Sequence, residues 1–182
     1  MAYSTRLIIF TLITLIVSVA YSVYVLTVQP VGQHHETWLS EIGEFFGEVG
    51  LWLFLLIYGR TLLKLGMGKG GPLQRVLPEY SLQPTMGVLK KVLVQLNRTH
   101  NYVGIAAIAV TGIHLLLVGF PLEILFFPLA LALIVWQGIF GMFLTFRYSP
   151  KQLKKFSYLV HAQLFTGIMI GLFTWFGHLL ID

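Results

Sequence analysis

The chain has 182 residues, of which 57% are hydrophobic and only 10% are charged, and it contains no cysteine. An average soluble domain carries about 25% charged residues, so this composition excludes a water-soluble globular protein. It also excludes an intrinsically disordered one, because disordered chains are poor in apolar residues. Without cysteine there are no disulfides, no iron–sulfur or zinc-thiolate ligation and no covalent haem attachment. The composition therefore predicts an all-α integral membrane protein.

Five apolar segments are long enough to cross a bilayer, since a spanning helix needs about 17–25 apolar residues. In chain order they cover about 7–28, 45–65, 100–119, 124–146 and 156–180. A short break at Phe120-Pro121 separates the third span from the fourth. The first apolar run is longer than the core of a signal peptide, so we expect an uncleaved helix. We predict one transmembrane domain, residues 1–182, built as a five-helix bundle.

The basic residues predict the orientation of this bundle. With five spans, all twelve Lys and Arg residues fall on one side of the membrane, and Glu79 is the only acidic residue on that side. Basic loops stay in the cytoplasm, so we predict the N-terminus inside and the C-terminus outside a cytoplasmic (inner) membrane. The net charge of +5 then follows from topology and calls for no nucleic-acid partner. The surrounding partner is lipid.

Two connections carry helical patterns outside the spans. Apolar spacing over 38–46 indicates either a surface helix or the beginning of the second span. The longest connection, 66–99, opens with a glycine-rich turn and ends in a basic stretch, 88–98, which predicts an amphipathic helix on the membrane surface. His34 and His35 lie in the outer loop, where they are either solvated or a contact for a quinone, a metal or a partner.

Four of the six histidines lie in the spans: His100 and His114 on the third, His161 and His178 on the fifth. Ionisable side chains inside a bilayer are rare and usually functional. The two spans run in the same direction, so His100 and His161 share an inner depth, and His114 and His178 share an outer one. Two imidazoles at one depth on facing helices can ligate haem iron from both faces. The pattern therefore predicts two stacked haems.

The spacing of the first pair suits this arrangement. His100 and His114 are about 21 Å apart along an ideal helix and within about 40° of each other around it. His161 and His178 differ by about 100° on a straight helix, so we expect a bend or a π-bulge between them. Three glycines in between either permit such a distortion or make room for a macrocycle: Gly167, Gly171 and Gly177.

Other residues near the histidines have two interpretations. Arg98, with Lys154 and Lys155, either neutralises haem propionates or serves only the positive-inside topology. Gly104, like Gly112, either makes room for a macrocycle or packs against another helix. The histidines themselves have an alternative role as hydrogen-bonded links between helices.

The residues that carry a family resemblance surround these histidines. Arg98-Thr99-His100-Asn101-Tyr102-Val103-Gly104, followed by His114-Leu115-Leu116-Leu117, resembles a histidine helix of the ferric-reductase-like transmembrane domain. The stretch from Phe146-Arg147-Tyr148 through Lys154-Lys155 to His161 is similar to the basic turn before that family's second histidine helix. The resemblance covers about residues 50–180 and implies two b haems. It departs at His178, whose spacing is closer to the diheme cytochrome b subunits of respiratory nitrate reductases.

Together these observations predict a diheme b-type cytochrome that transfers electrons across the membrane through two non-covalent haem b groups, with quinone as a candidate second cofactor. The flavin- and nicotinamide-binding domain of the family is absent from these 182 residues. We therefore expect an electron-transfer subunit of a respiratory oxidoreductase rather than a stand-alone enzyme, partnered by a cytochrome, an iron–sulfur protein or a flavoprotein. The competing class is a non-redox membrane protein, either a haem or metal transporter or a structural subunit.

Overall fold

The computed structural model describes residues 3–28, 37–68 and 79–181, and every regular element in those ranges is a helix. In chain order the helices are α1 (Tyr3–Val28), α2 (Trp38–Gly66), α3 (Glu79–Val118), α4 (Phe126–Thr145), α5 (Lys151–His161) and α6 (Leu164–Leu179). The prediction of an all-helical chain is confirmed for these residues. His34 and His35 lie outside them.

Helices α1 to α4 are each long and apolar enough to cross a membrane. Helices α5 and α6 meet the same criterion only as a pair, and they are bent by 47° at a short break, so they form either a broken fifth span or a re-entrant segment. Large apolar side chains such as Ile16, Leu26 and Leu116 are exposed along these helices. Lipid suits such a surface better than water does, and the helices are those of a multi-pass membrane protein.

One compact unit comprises Met1–Trp38 and Gly119–Asp182. In it α6 packs against α1 and α4, and α4 packs against α5. Its core is apolar and largely aromatic, and contains Val25, Ile124, Phe126, Phe127, Ala130, Phe173 and Leu180. The buried face of α1 includes Ser18 and Ser22. Small residues at a membrane-helix interface let two backbones approach closely.

The second unit, Leu39–Val118, is an antiparallel pair of α2 and α3. Residues later in α2 contact residues earlier in α3: Gly47 lies against His114, and Gly50 lies against Thr111. Nearer the other end, Arg60 Nε donates a hydrogen bond to Asn97 Oδ1 over 2.5 Å. Glycines 43, 47 and 50 share one face of α2, where the absence of side chains brings the helices together.

Both helices of this pair are longer than the predicted spans. Helix α2 begins at Trp38, so the amphipathic run over 38–46 is the beginning of the second span helix. Helix α3 has 40 residues, so the predicted surface helix over 88–98 is not a separate element. Neither glycine nor proline occurs from 88 to 103, and nothing in that stretch interrupts the helix. At about 1.5 Å per residue α3 is about 60 Å long, roughly twice the hydrocarbon thickness.

The fifth span differs most from its prediction. The predicted span over 156–180 is divided between two helices: α5 begins at Lys151, directly after Pro150, and the chain breaks at Ala162-Gln163, so the expected bend lies between His161 and His178. Proline at a helix start has its φ already set for the helix, which explains the earlier beginning. Gln163 is extended, with φ −78° and ψ 123°. The break precedes Gly167, so the glycines expected to permit a distortion do not lie at it.

The turn between α3 and α4 contains the expected break at Phe120-Pro121. Gly119 has a φ of +91°, which only glycine adopts without strain. At the start of α4, the backbone N–H of Leu125 donates to the Tyr21 hydroxyl over 3.0 Å. The Tyr21 ring also contacts Phe126 edge-on at a centroid distance of 4.9 Å. A side chain of α1 therefore satisfies a donor at the N-terminus of α4.

We predict that Tyr21→Phe destabilises the protein while keeping the ring packed on Phe126. A lost hydrogen bond of this kind costs about 1 kcal/mol, which a thermal melt of the purified protein in detergent would show as a lower midpoint. Tyr24→Phe is the matched control, because the Tyr24 side chain is exposed on the same helix. Equal midpoints for the two variants would contradict the capping role of Tyr21.

Candidate functional site

The four span histidines are all partly buried. His100 and His114 lie on α3, in the unit Leu39–Val118. His161 is the last residue of α5 and His178 lies in the last turn of α6, both in the other unit. Because the break at Ala162-Gln163 falls between His161 and His178, the angular separation of about 100° calculated for a straight helix does not apply to them.

The ring of His114 is held by the backbone of α2. Its Nδ1 lies 2.8 Å from the carbonyl oxygen of Gly43. A carbonyl oxygen can only accept a hydrogen bond, so Nδ1 carries the proton and donates it. In the neutral imidazole the lone pair then resides on Nε2. The ring lies directly over Gly47, where an added Cβ would be 2.8 Å from Nδ1.

His161 repeats this arrangement on α4. Its Nδ1 lies 3.0 Å from the backbone carbonyl oxygen of Gln137, so this ring also donates from Nδ1. The ring lies over Gly141, where an added Cβ would be 3.0 Å from Cε1. The contact holds the C-terminus of α5 against the middle of α4, directly before the break in the chain.

His178 is oriented by its own helix. Its Nδ1 lies 2.8 Å from the carbonyl oxygen of Thr174, four residues earlier. The ring also meets Phe127 of α4 edge to face, at a centroid distance of 5.3 Å. Gly177 leaves room for Phe127, whose ring an added Cβ would approach to 3.0 Å. His178 therefore carries its proton on Nδ1, as His114 and His161 do, although its acceptor lies in its own helix.

These three contacts define what the rings can do chemically. Histidines that ligate a metal through one nitrogen usually donate the other N–H to a carbonyl or carboxylate, which sets the tautomer and raises the basicity of the ligand. His114, His161 and His178 all have this orientation, with Nε2 as the basic nitrogen. The ring of His100 is partly buried on α3, with its Nδ1 shielded from solvent.

Gln137 is a buried polar residue that the sequence analysis did not single out. It is the only amide side chain in α4 and is 9% exposed. Its backbone carbonyl oxygen accepts the hydrogen bond from His161 Nδ1. Its Nε2 has no hydrogen-bond partner within the described part of the chain. A buried donor of this kind needs an acceptor, so a ligand oxygen or a water suits this place. A lone glutamine in an apolar span was the signal that could have identified it.

The remaining predicted residues lie near the histidines in the sequence. Arg98 is exposed on α3, two residues before His100, and Lys155 is exposed on α5. At Gly104 and Gly112 an added Cβ would meet no atom of the described residues within 4 Å.

Within the described ranges, no group of three or more His, Asp or Glu side chains is arranged to hold a metal ion. Bis-histidine haem ligation requires only two imidazoles per iron, so it does not need such a group. Searches against protein families, curated proteins and solved structures find no match to this chain. The chemistry of the histidines themselves therefore carries the functional assignment.

We predict that His114, His161 and His178 carry a proton on Nδ1 in the purified protein without added ligand. Nitrogen-15 NMR of histidine-labelled protein distinguishes the two tautomers by the shifts of the ring nitrogens. Assignment uses single His→Gln variants, each of which removes one pair of signals. Predominant Nε2–H signals at these three residues would contradict the orientations described above.

Proposed function

We propose that the chain is a diheme b-type cytochrome that transfers electrons across a membrane. His100 and His161 would ligate the inner haem, and His114 and His178 the outer one. The observation that carries the proposal is the common orientation of three of these rings, in which Nδ1–H donates to a carbonyl and Nε2 keeps its lone pair. Such an orientation suits axial ligation of iron.

Residues near His161 on one unit, and residues near His100 in the sequence, suit a bound haem. The buried Nε2 of Gln137 is a donor in need of an acceptor, and a propionate oxygen would supply one. Arg98, Lys154 and Lys155 carry the positive charge that propionates need on the cytoplasmic side. At Gly104 no atom of the described residues would lie within 4 Å of an added Cβ, which suits a macrocycle beside this helix.

Bound haem b supplies reversible one-electron chemistry between ferrous and ferric iron. The chain contributes the rest. His100 with His161, and His114 with His178, would each hold one haem through two imidazoles, which would favour electron transfer over oxygen chemistry. The carbonyls of Gly43, Gln137 and Thr174 draw on the Nδ1 protons and make the three ligands more basic. Burial in an apolar environment tunes the potential further.

The topology proposed for this function has five crossings, with α5 and α6 together forming the fifth, the N-terminus inside and the C-terminus outside. The partition of the twelve basic residues supports it. The chain would act as the membrane subunit of a respiratory oxidoreductase in the cytoplasmic membrane. It would exchange electrons with quinone and with a cytochrome, iron–sulfur or flavoprotein subunit.

A structural role is the second candidate, and two of the same contacts favour it. The Nδ1 bonds of His114 and His161 each join two helices, as hydrogen-bonded links do. The Nδ1 bond of His178 stays within α6, so this nitrogen links no helices. Ligation through Nε2 would give one role to all three rings.

The haem proposal predicts a red protein with a reduced-minus-oxidised spectrum of b type and two haems per chain by pyridine haemochrome assay. His114→Ala should lose one haem and retain the other, because it removes a ligand from one pair only. His35→Ala is the control, since this histidine lies in the predicted outer loop, and it should retain both haems.

Two results would contradict the proposal. The first is a preparation that stays colourless after haem is supplied during expression, which would favour the structural role. The second is a His114→Ala variant that loses both haems or neither while it remains folded, which would contradict two separately ligated haems.

The topology predicts opposite labelling of two introduced cysteines, which the absence of native cysteine makes unambiguous. Lys90 and Glu123 are both exposed. In right-side-out vesicles, Glu123→Cys should react with a membrane-impermeant maleimide, whereas Lys90→Cys should react only after the vesicles are opened. Labelling of both from one side would contradict a single crossing between Lys90 and Glu123.

A further inference from the structure

Two of the histidine contacts share one local pattern. His114 donates to the carbonyl of Gly43 and lies over Gly47, four residues later on α2. His161 donates to the carbonyl of Gln137 and lies over Gly141, four residues later on α4. We call this arrangement a helix notch: a carbonyl that accepts a histidine N–H, with glycine four residues further along the same helix.

The geometry of the α-helix explains why glycine occupies the second position. The carbonyl of residue i already accepts the N–H of residue i+4. A side chain at i+4 leans toward the helix N-terminus and covers the turn before it. Glycine leaves that carbonyl open to a second donor and lets an imidazole approach the backbone closely.

We propose that Gly47 and Gly141 are positioning residues that set the ring plane and tautomer of His114 and His161. Their consequence for haem rests on the proposed function. The two notches hold one ligand of each proposed haem, His114 for the outer and His161 for the inner. Gly47 therefore controls the outer haem, and Gly141 the inner one.

The contact distances rank the two positions. A Cβ at Gly47 would lie 2.8 Å from Nδ1 and 2.9 Å from Cε1 of His114, so the ring must move. A Cβ at Gly141 would lie 3.0 Å from Cε1 and 3.4 Å from Nδ1 of His161, so a shift of a few tenths of an ångström suffices. At Gly59, also on α2, an added Cβ would meet none of the described residues within 4 Å.

The first test is a double-mutant cycle on the full chain in detergent, read as thermal midpoints. Gly47→Ala should lower the midpoint, and the loss should disappear when His114→Ala is already present, because the ring is what the methyl group meets. Gly141→Ala with His161→Ala should behave in the same way with a smaller effect. Gly59→Ala is the control and should not lower the midpoint, since alanine favours helix over glycine.

The second test is the electron paramagnetic resonance spectrum of the oxidised protein, in which the signal of each low-spin haem depends on the orientation of its axial imidazoles. Gly47→Ala should shift or abolish only the signal that His114→Ala removes. Gly141→Ala should shift only the other signal, and by less. A purely structural role would move both signals together, whereas Gly59→Ala should move neither.

The outcomes separate the two proposals. A wild-type protein without haem whose cycles still show the coupling would refute the cytochrome and leave the positioning of the rings intact. A wild-type protein with two haems in which Gly47→Ala matches Gly59→Ala in both tests would refute the notches and leave the cytochrome intact. If the stability loss of Gly47→Ala persists in the His114→Ala background, the glycine does not act through the ring, and the inference is overturned.

Discussion

A histidine within lipid has no water to accept its N–H, so the chain itself must provide the acceptor. In this protein a backbone carbonyl does so for His114, His161 and His178. Each bond satisfies one ring nitrogen and leaves the other with the basic lone pair. The contact of α2 with α3, that of α5 with α4, and the ligating capacity of the rings all depend on this one interaction.

The break between α5 and α6 belongs to the same set of constraints. Helix α5 is short and basic on one face, and it ends at the residue that bonds to Gln137. Helix α6 then resumes at an angle and carries His178 beside Phe127. The direction of the His178 ring is therefore set by α6 and its packing on α4, and not by a helix that continues from His161.

The sequence was sufficient for those features that depend on composition and on runs of apolar residues. It predicted the helical class, the apolar segments of the first four spans, the break at Phe120-Pro121 and the four span histidines. It predicted a bend between His161 and His178 but did not locate it directly after His161, because no glycine or proline marks that place and a contact with α4 lies there instead. It also predicted that Gly167, Gly171 and Gly177 permit the bend, whereas the chain bends at Ala162-Gln163.

The acceptors of the histidines could not be predicted from sequence for a related reason. Gly43, Gln137 and Thr174 act through their backbone carbonyls, which every residue has, and only the packing of helices selects them. The glycines at 47 and 141 are visible in the sequence, but glycine is common in membrane helices. Only the position of a ring over each glycine distinguishes these two from Gly59.

We propose that these four imidazoles make the protein a two-haem electron carrier. An anaerobic potentiometric titration of the purified full-length chain, followed at the α-band of reduced haem b, tests it most directly. We expect two reversible one-electron components of similar amplitude, one for each haem. A titration with no reducible chromophore, or with a single component, would contradict it.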